Sequence, residues 1–420
     1  MTRVEVRMMP SVLLKNARIF DGVSPDCAEG MSILIEGGVI REVAEKVKCD
    51  DARVIDVRGL TVMPGLIDAH IHAFASHLNL QTADRMGEVY RTAHAARMLG
   101  FALDCGFTTV RDVGGGDYGL WRAIEDRLIR APRFFYAGKA ISMTGGHGDF
   151  RQMNESTHTH GYCSCGASNT LAVIADGVDE CVKAAREELR RGAHCIKIMA
   201  SGGVTSPSDP LWMHQFREDE VRAIVNEATE RRTYVTAHCH PASAVRRSVE
   251  LGVRCIEHGT LMDDETAQFV AEKSAFVVPT MAIVFALKES ATKNGYSSDM
   301  MEKLEFAFKR ALIGLECMRR AEVKTGFGTD LLGEAYLQQC REFTIRREVC
   351  SPLDILRQAT SVNAEILQEK DKLGCVKPGA WADLLVVDGD PLKDIDLLAA
   401  DGRNLRLIMR GGELVRNQLG

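Results

Sequence analysis

No apolar run in these 420 residues approaches the roughly 20 that a membrane helix needs. Nor is there a lysine- or arginine-rich arm, and a formal net charge of −6 offers no basic field for nucleic acid. Neither a membrane nor a nucleic acid is therefore an expected partner. The first 20 residues carry scattered charges and no continuous apolar core, so no secretory signal is expected. An even cysteine count is also missing. There are 13 cysteines, and Cys195, Cys239 and Cys255 lie inside apolar runs. That pattern suits buried free thiols in a reducing compartment better than a disulfide framework, and a cytoplasmic location is the expectation.

What is present is ordinary in bulk. Hydrophobic residues make up 45% and charged residues 26%, as in most soluble globular proteins, and the length allows one large α/β domain plus a smaller one. The informative stretch is Pro64-Gly65-Leu66-Ile67-Asp68-Ala69-His70-Ile71-His72. Val62 and Met63 lead into it, so it reads as a buried strand. Residues two apart on a strand point to one side, which places His70 and His72 together. Two such imidazoles can grip one transition-metal ion without distorting the strand. Further candidate ligands follow in the order Lys197, His238, His258 and Asp330, each near the end of a short apolar run.

Residues 1–62 and 373–420 share a texture. Short β-rich runs such as Val12-Leu13-Leu14, Arg18-Ile19-Phe20, Ser32–Ile35 and Val54–Val57 alternate with Asp21-Gly22 and Gly37-Gly38 turn signals. The same texture returns in Ala382–Pro391 and Leu405–Gly412. One β-sandwich domain built from both ends is the expectation. Between them, residues 63–372 alternate strands and helices. Candidate strands are Met63–His72, Thr108–Val113, Arg133–Ser142, Cys195–Met199, Tyr234–His238, Cys255–His258, Phe276–Pro279 and Lys324–Asp330. Helical patterns fill Asp179–Arg191, Glu218–Arg231 and Asp263–Lys273. Eight strands close a (β/α)8 TIM barrel, whose reacting groups sit at the strands' C-terminal ends. The long irregular insert Thr144–Thr170, rich in Gly, His, Ser and Cys, reads as a lid or binding loop.

These residues resemble the amidohydrolase superfamily, and within it the zinc-dependent, prolidase-like dipeptidase branch. The matching motifs are PGLIDAHIH at 64–72, TTVRDVGG at 108–115, TGGHGD at 144–149, IKIMASGG at 196–203 and TAHCH at 236–240. IEHG at 256–259, FGTD at 327–330 and ADLLVVDGDPL at 382–392 continue the series, in family order and over nearly the whole chain.

The resemblance implies two divalent ions, Zn2+ by preference. A pair of such ions polarises a carbonyl and activates water near neutral pH. His70 and His72, with Asp330, would hold one ion, and His238 and His258 the other. Lys197 would be carboxylated by carbon dioxide and bridge both, since a plain ammonium has no lone pair to offer. Asp330 would also be the base that carries a proton to the leaving amine. The blander readings are an ordinary strand-end lysine at 197 and a helix N-cap at 330. His147, in TGGHG, matches a family histidine beside the substrate carbonyl, able to stabilise an oxyanion or orient the substrate. His240 falls on the strand face of His238 and is a second substrate-binding candidate, although related dipeptidases often carry tyrosine there. A substrate α-carboxylate needs a cation or donor, for which His147, His240 and Arg217 are candidates.

His77, His94, His194 and His214 stand alone and read as structural or solvent-facing. His158, His160, Cys163 and Cys165 form a compact H-x-H-x2-C-x-C, a superficial zinc signature with unusually tight spacing. The implied activity is hydrolysis of the amide bond before a free C-terminal amino acid, in dipeptides or N-acyl amino acids. Proline or another apolar C-terminal residue is expected there. Other superfamily chemistries compete: carbamate, aryl-amide or cyclic-amide hydrolysis, or an imidazolonepropionase-like reaction. A non-catalytic scaffold on the same fold is the reading from another class. The partner is a small molecule or dipeptide, and the oligomeric state stays open, a homo-oligomer included.

Overall fold

The computed structural model describes residues 10–151, 170–206, 209–291 and 297–420. The Gly37-Gly38 pair, both at positive φ (58° and 82°), turns the chain between the antiparallel strands Ala28–Glu36 and Val39–Ala44. Val12–Ile19 pairs with Ala28–Glu36 across a register shift between Leu14 and Ala17, where Asn16 adopts φ 58°. The two runs expected at 12–14 and 18–20 are thus one strand bent by a bulge. Strands from the far end complete this eight-stranded sheet, Leu384–Val387 lying antiparallel to Thr61–Pro64 with Val386 opposite Val62. Leu14, Ile33, Ile35, Val62, Leu384, Val386 and Leu407 form its apolar core. These elements belong to one of two units into which the chain divides, made of residues up to Ile67, Ala102–Thr109 and Ser351–Gly420.

The second unit comprises Asp68–Phe101 and Val110–Cys350. Its seven-stranded sheet is parallel throughout, in the order Ala172–Ile174, Ala140–Ser142, Ile196–Met199, Val235–Pro241, Cys255–Leu261, Phe276–Val278, Lys324–Thr325. A three-stranded sheet of Leu66–Ile71, Phe107–Asp112 and Arg133–Tyr136 accompanies it. Backbone bonds run from both edges of the smaller sheet to residues just outside strands of the larger. Ala69 N–H donates to Phe327 O (2.9 Å) and Asp330 N–H to His70 O (2.8 Å), while His194 N–H donates to Tyr136 O (2.8 Å). Between strands lie helices Val178–Arg190, Glu218–Glu230 and Asp264–Glu272. They bury Cys181, Ala185 and Leu189, then Val221, Ile224 and Ala228, at helical spacing against Ile196, Ile198 and Val235.

Two expected strands differ. Arg133–Ser142 breaks into Arg133–Tyr136 and Ala140–Ser142, which join different sheets. The break falls at Gly138, at φ 74°, where Glu188 packs so closely that a Cβ would overlap its carboxylate. Lys324–Asp330 is strand only at Lys324–Thr325. Asp330 ends the segment at φ 56°, outside strand geometry. No helix among the described residues is long and apolar enough to cross a membrane. The eleven cysteines among the described residues are free thiols, Cys195, Cys239 and Cys255 buried as expected.

Candidate metal centre

Strand Leu66–Ile71 carries His70, with His72 just beyond its end, on one side as their spacing requires. Their Nε2 atoms stand 3.3 Å apart, and Asp330 Oδ1 lies 3.3 Å from each. Gly328, two residues before Asp330, packs closely on His70, where a Cβ would come within 2.7 Å of His70 Cβ. Asp68 anchors the same segment. It accepts from Thr329 N–H (3.2 Å) and Thr329 Oγ1 (2.6 Å), and from Gln339 Nε2 (2.9 Å). His258 sits at φ 73°, a strained backbone for a non-glycine residue, and its ring centroid is 4.9 Å from that of His70. Ring nitrogens of His70 and His258 and an Asp330 oxygen all lie within 4.8 Å of one another. His238 follows, its ring 4.6 Å from His258. Lys197, 1% exposed, lines the same cavity as His72, His238, His258 and Asp330.

Each candidate imidazole has one nitrogen occupied by the protein. His70 Nδ1 bonds Glu257 Oε2 (2.6 Å), His72 Nδ1 bonds Gly114 O (3.0 Å), His258 Nδ1 bonds Thr280 Oγ1 (2.7 Å) and His238 Nε2 bonds Gly202 O (3.3 Å). That leaves the other nitrogen's lone pair for a cation, as outer partners of metal-bound histidines do. Burial pushes His238 and His258 well below the usual imidazole range, reinforced for each by neighbouring imidazoles. Neutral rings are the ligating form. Burial also lowers the Lys197 ammonium, against the pull of Glu257 and Asp330. Burial alone would raise the Asp330 carboxyl, but His70, His72 and His258 outweigh it and hold it well below the carboxylate range. Neutral rings at His238 and His258, one ionised carboxylate and a buried lysine fit a divalent transition metal.

Substrate candidates divide. His147 and His240 both line the cavity. His147 stacks on His238 with centroids 4.2 Å apart, and His240 Nδ1 bonds Thr260 Oγ1 (3.0 Å). Arg217 does not join them. It stands at the N-cap of helix Glu218–Glu230, 79% exposed and paired with Asp219, because the helix start fixes its side chain outward. His77, His94, His194 and His214 stay outside the cavity lining. His194 packs on Phe135 and Tyr136, and His214 bonds Ser243. Asp149 is held by Arg151 through both its oxygens. The 158–165 His/Cys motif lies outside the described residues.

The sequence reading passed over Arg111 and Glu257. Glu257 Oε1 pairs with Arg111 Nη2 (2.6 Å), and Arg111 Nε donates to Ala69 O (2.6 Å), with neither side chain exposed. Arg111 and His70 hold the Glu257 carboxyl down against a burial effect that would raise it. A charge inside an apolar strand was the signal, visible in TTVRDV and CIEHG.

The family model for the amidohydrolase family matches residues 61–415. The chain belongs to that family. It is a hydrolase acting on amide bonds, within a family that generally binds divalent metals. Ochratoxinase of Aspergillus niger is 29% identical over 367 residues, covering 84% of this chain and 75% of the relative. A crystal structure of an amidohydrolase matches with TM-score 0.94 at 47% identity, covering 98% of this chain and all (100%) of that one. A prolidase in complex with N-methylphosphonate-L-proline matches with TM-score 0.92 at 41% identity, covering 97% and 100%.

Proposed function

We propose that the chain is a binuclear zinc hydrolase cleaving the amide bond before a free C-terminal amino acid, in dipeptides or N-acyl amino acids, with proline or another apolar residue preferred there. The convergence of His72, Lys197, His238, His258 and Asp330 on one cavity, with His70 3.3 Å from Asp330, carries this reading. His70 and His72, with Asp330, would hold one ion, His238 and His258 the second, and a carboxylated Lys197 would bridge them. When bound, the ions supply polarisation of the scissile carbonyl and a lowered pKa for water. The lowered Lys197 pKa favours the neutral amine, the form that adds carbon dioxide.

Asp330 takes a proton from the attacking water and delivers it to the leaving nitrogen as the C–N bond breaks, yielding a carboxylate and a free amino acid. His147 and His240 face the substrate's carbonyl or α-carboxylate oxygens. Leu80, Phe150, Ile283, Val284, Leu287 and Leu304 give the cavity an apolar wall suited to apolar side chains. The prolidase complexed with a proline derivative lends support to the substrate class. The fold around this chemistry would be a closed (β/α)8 barrel over 63–372, with a β-sandwich domain from 1–62 and 373–420, working in the cytoplasm.

Metal analysis and a substrate screen test the proposal. About two zinc ions per chain are expected, falling in Lys197→Ala together with activity, which short carboxylic acids would partly restore. Blocking the substrate carboxylate as an amide should cost roughly 2–5 kcal/mol of transition-state binding. Equal kcat/KM for free and amidated substrates would replace this reading with an aryl-amide or carbamate hydrolase.

A further inference from the structure

His147 is wrapped by the segment that follows strand Ile196–Met199. A Cβ on Gly203 would overlap its ring, so the imidazole fits there only against glycine. The backbone N–H of His147 donates to Gln215 Oε1 (3.0 Å). Two side chains meet ring nitrogen Nδ1, Ser206 Oγ at 3.2 Å and Asp209 Oδ2 at 3.3 Å. Asp209 and Gln215 are both 0% exposed.

Asp209 Oδ2 is already committed as an acceptor. It receives Gly203 N–H (3.0 Å) and Gln215 Nε2–H (3.2 Å). An acceptor oxygen that close to Nδ1 is favourable only when Nδ1 carries the hydrogen, since two lone pairs would otherwise face each other. Ser206 can accept or donate and so fits either tautomer. The carboxylate decides. Gln215 ties the arrangement together, one end on the His147 backbone and the other on Asp209. From the far side, Lys303 on helix Ser298–Arg320 donates to Ser206 O (3.2 Å) and Asp209 O (3.0 Å), and its ammonium also pairs with Asp299 (3.0 Å). Asp209 Oδ1 is buried with no hydrogen-bond partner among the described residues, an arrangement costly for a residue whose only work is to brace a loop.

We propose that Asp209 is the positioning residue of His147, fixing its ring plane and its Nδ1–H tautomer so that Nε2 is the nitrogen left for the substrate. This rests on the proposed role of His147 in substrate binding, and the test separates the two. In full-length protein with 15N-labelled histidine rings, the His147 signals are those lost in His147→Gln. Long-range proton–nitrogen correlation is expected to show a protonated Nδ1 in the unsubstituted protein and a changed signature in Asp209→Asn. A hydrogen on Nε2 alone in the unsubstituted protein overturns the proposal, and that measurement needs no variant of Asp209 to fold. An unchanged His147 signature in Asp209→Asn also overturns it.

Kinetics supply the second readout. Asp209→Asn should lower kcat/KM by about 10- to 100-fold, as loss of an orienting partner typically does. The same change in a His147→Gln background should cost nothing further. An equal fall in both backgrounds would mean that Asp209 braces the loop only, and overturns the proposal. Wild-type kcat/KM in His147→Gln, with the tautomer result intact, would instead refute the substrate role of His147 and leave the hold of Asp209 on its ring standing.

Discussion

His70 Nδ1 lies 2.6 Å from Glu257 Oε2, and neither side chain is exposed to solvent. Through the second oxygen of Glu257 the contact continues to Arg111. The ligand candidate is thus oriented by a buried ion pair rather than by the surface. Outer-shell carboxylates of this kind set both the tautomer and the basicity of a ligating imidazole.

Replacing Glu257 with Gln should therefore act twice. Zinc affinity, measured by competition with a chelating dye, should fall about 10- to 100-fold. Denaturant unfolding should show a loss of about 3–5 kcal/mol, because Arg111 is left buried without its counter-charge. Unchanged metal affinity would separate Glu257 from the site and leave it as packing.

Asp330→Asn keeps the shape of the side chain and removes its proton affinity. The variant should retain the fold and most of its metal, while kcat falls by several orders of magnitude. Retention of more than about a tenth of wild-type kcat would contradict the proton-transfer role.

Acid should weaken the metal-free protein. His240 is depressed from 6.5 to about 3 by burial and by His147, and His238 and His258 are also held well below their ordinary value. Below pH 6.5 the unfolded chain takes up protons that the folded one refuses, so this stability is complete above that pH and is lost as pH falls towards 3. Asp68, Asp84, Asp112, Glu188 and Glu342, raised by burial, and His72, raised by Asp330 against burial, oppose the trend. Glu257 and Asp330, held down by their cationic neighbours against burial, add to it, and the melting temperature in chelator should decline through this window. A flat profile between neutrality and pH 4 would contradict that balance.

Much of this site could be read from residue order alone. His70 and His72 announce themselves through strand periodicity, and the ends of later strands carry the remaining candidates in one direction. Glu257 could not be paired with His70 in the same way, because 187 residues separate them and only the tertiary fold brings them together. Arg217 misled for the opposite reason. A cation in a suitable stretch says nothing about the direction of its side chain until the helix start at Glu218 is fixed. The single long strand expected at 133–142 breaks at Gly138, at positive φ and packed against Glu188 of a helix distant in sequence. Local pattern locates elements, whereas breaks imposed by a neighbour are legible only in three dimensions.

His70, His72, His258 and His238 each have one nitrogen tethered, to Glu257, Gly114, Thr280 and Gly202 respectively. Their rotamers are therefore chosen while the chain folds, and the entropy of ordering them is lost at that stage rather than on arrival of a cation. Capture of a divalent ion would then be a desolvation event at a rigid template. Ions would be stripped and restored without rebuilding the surrounding strands, and discrimination among them would follow from the fixed spacing of the donors.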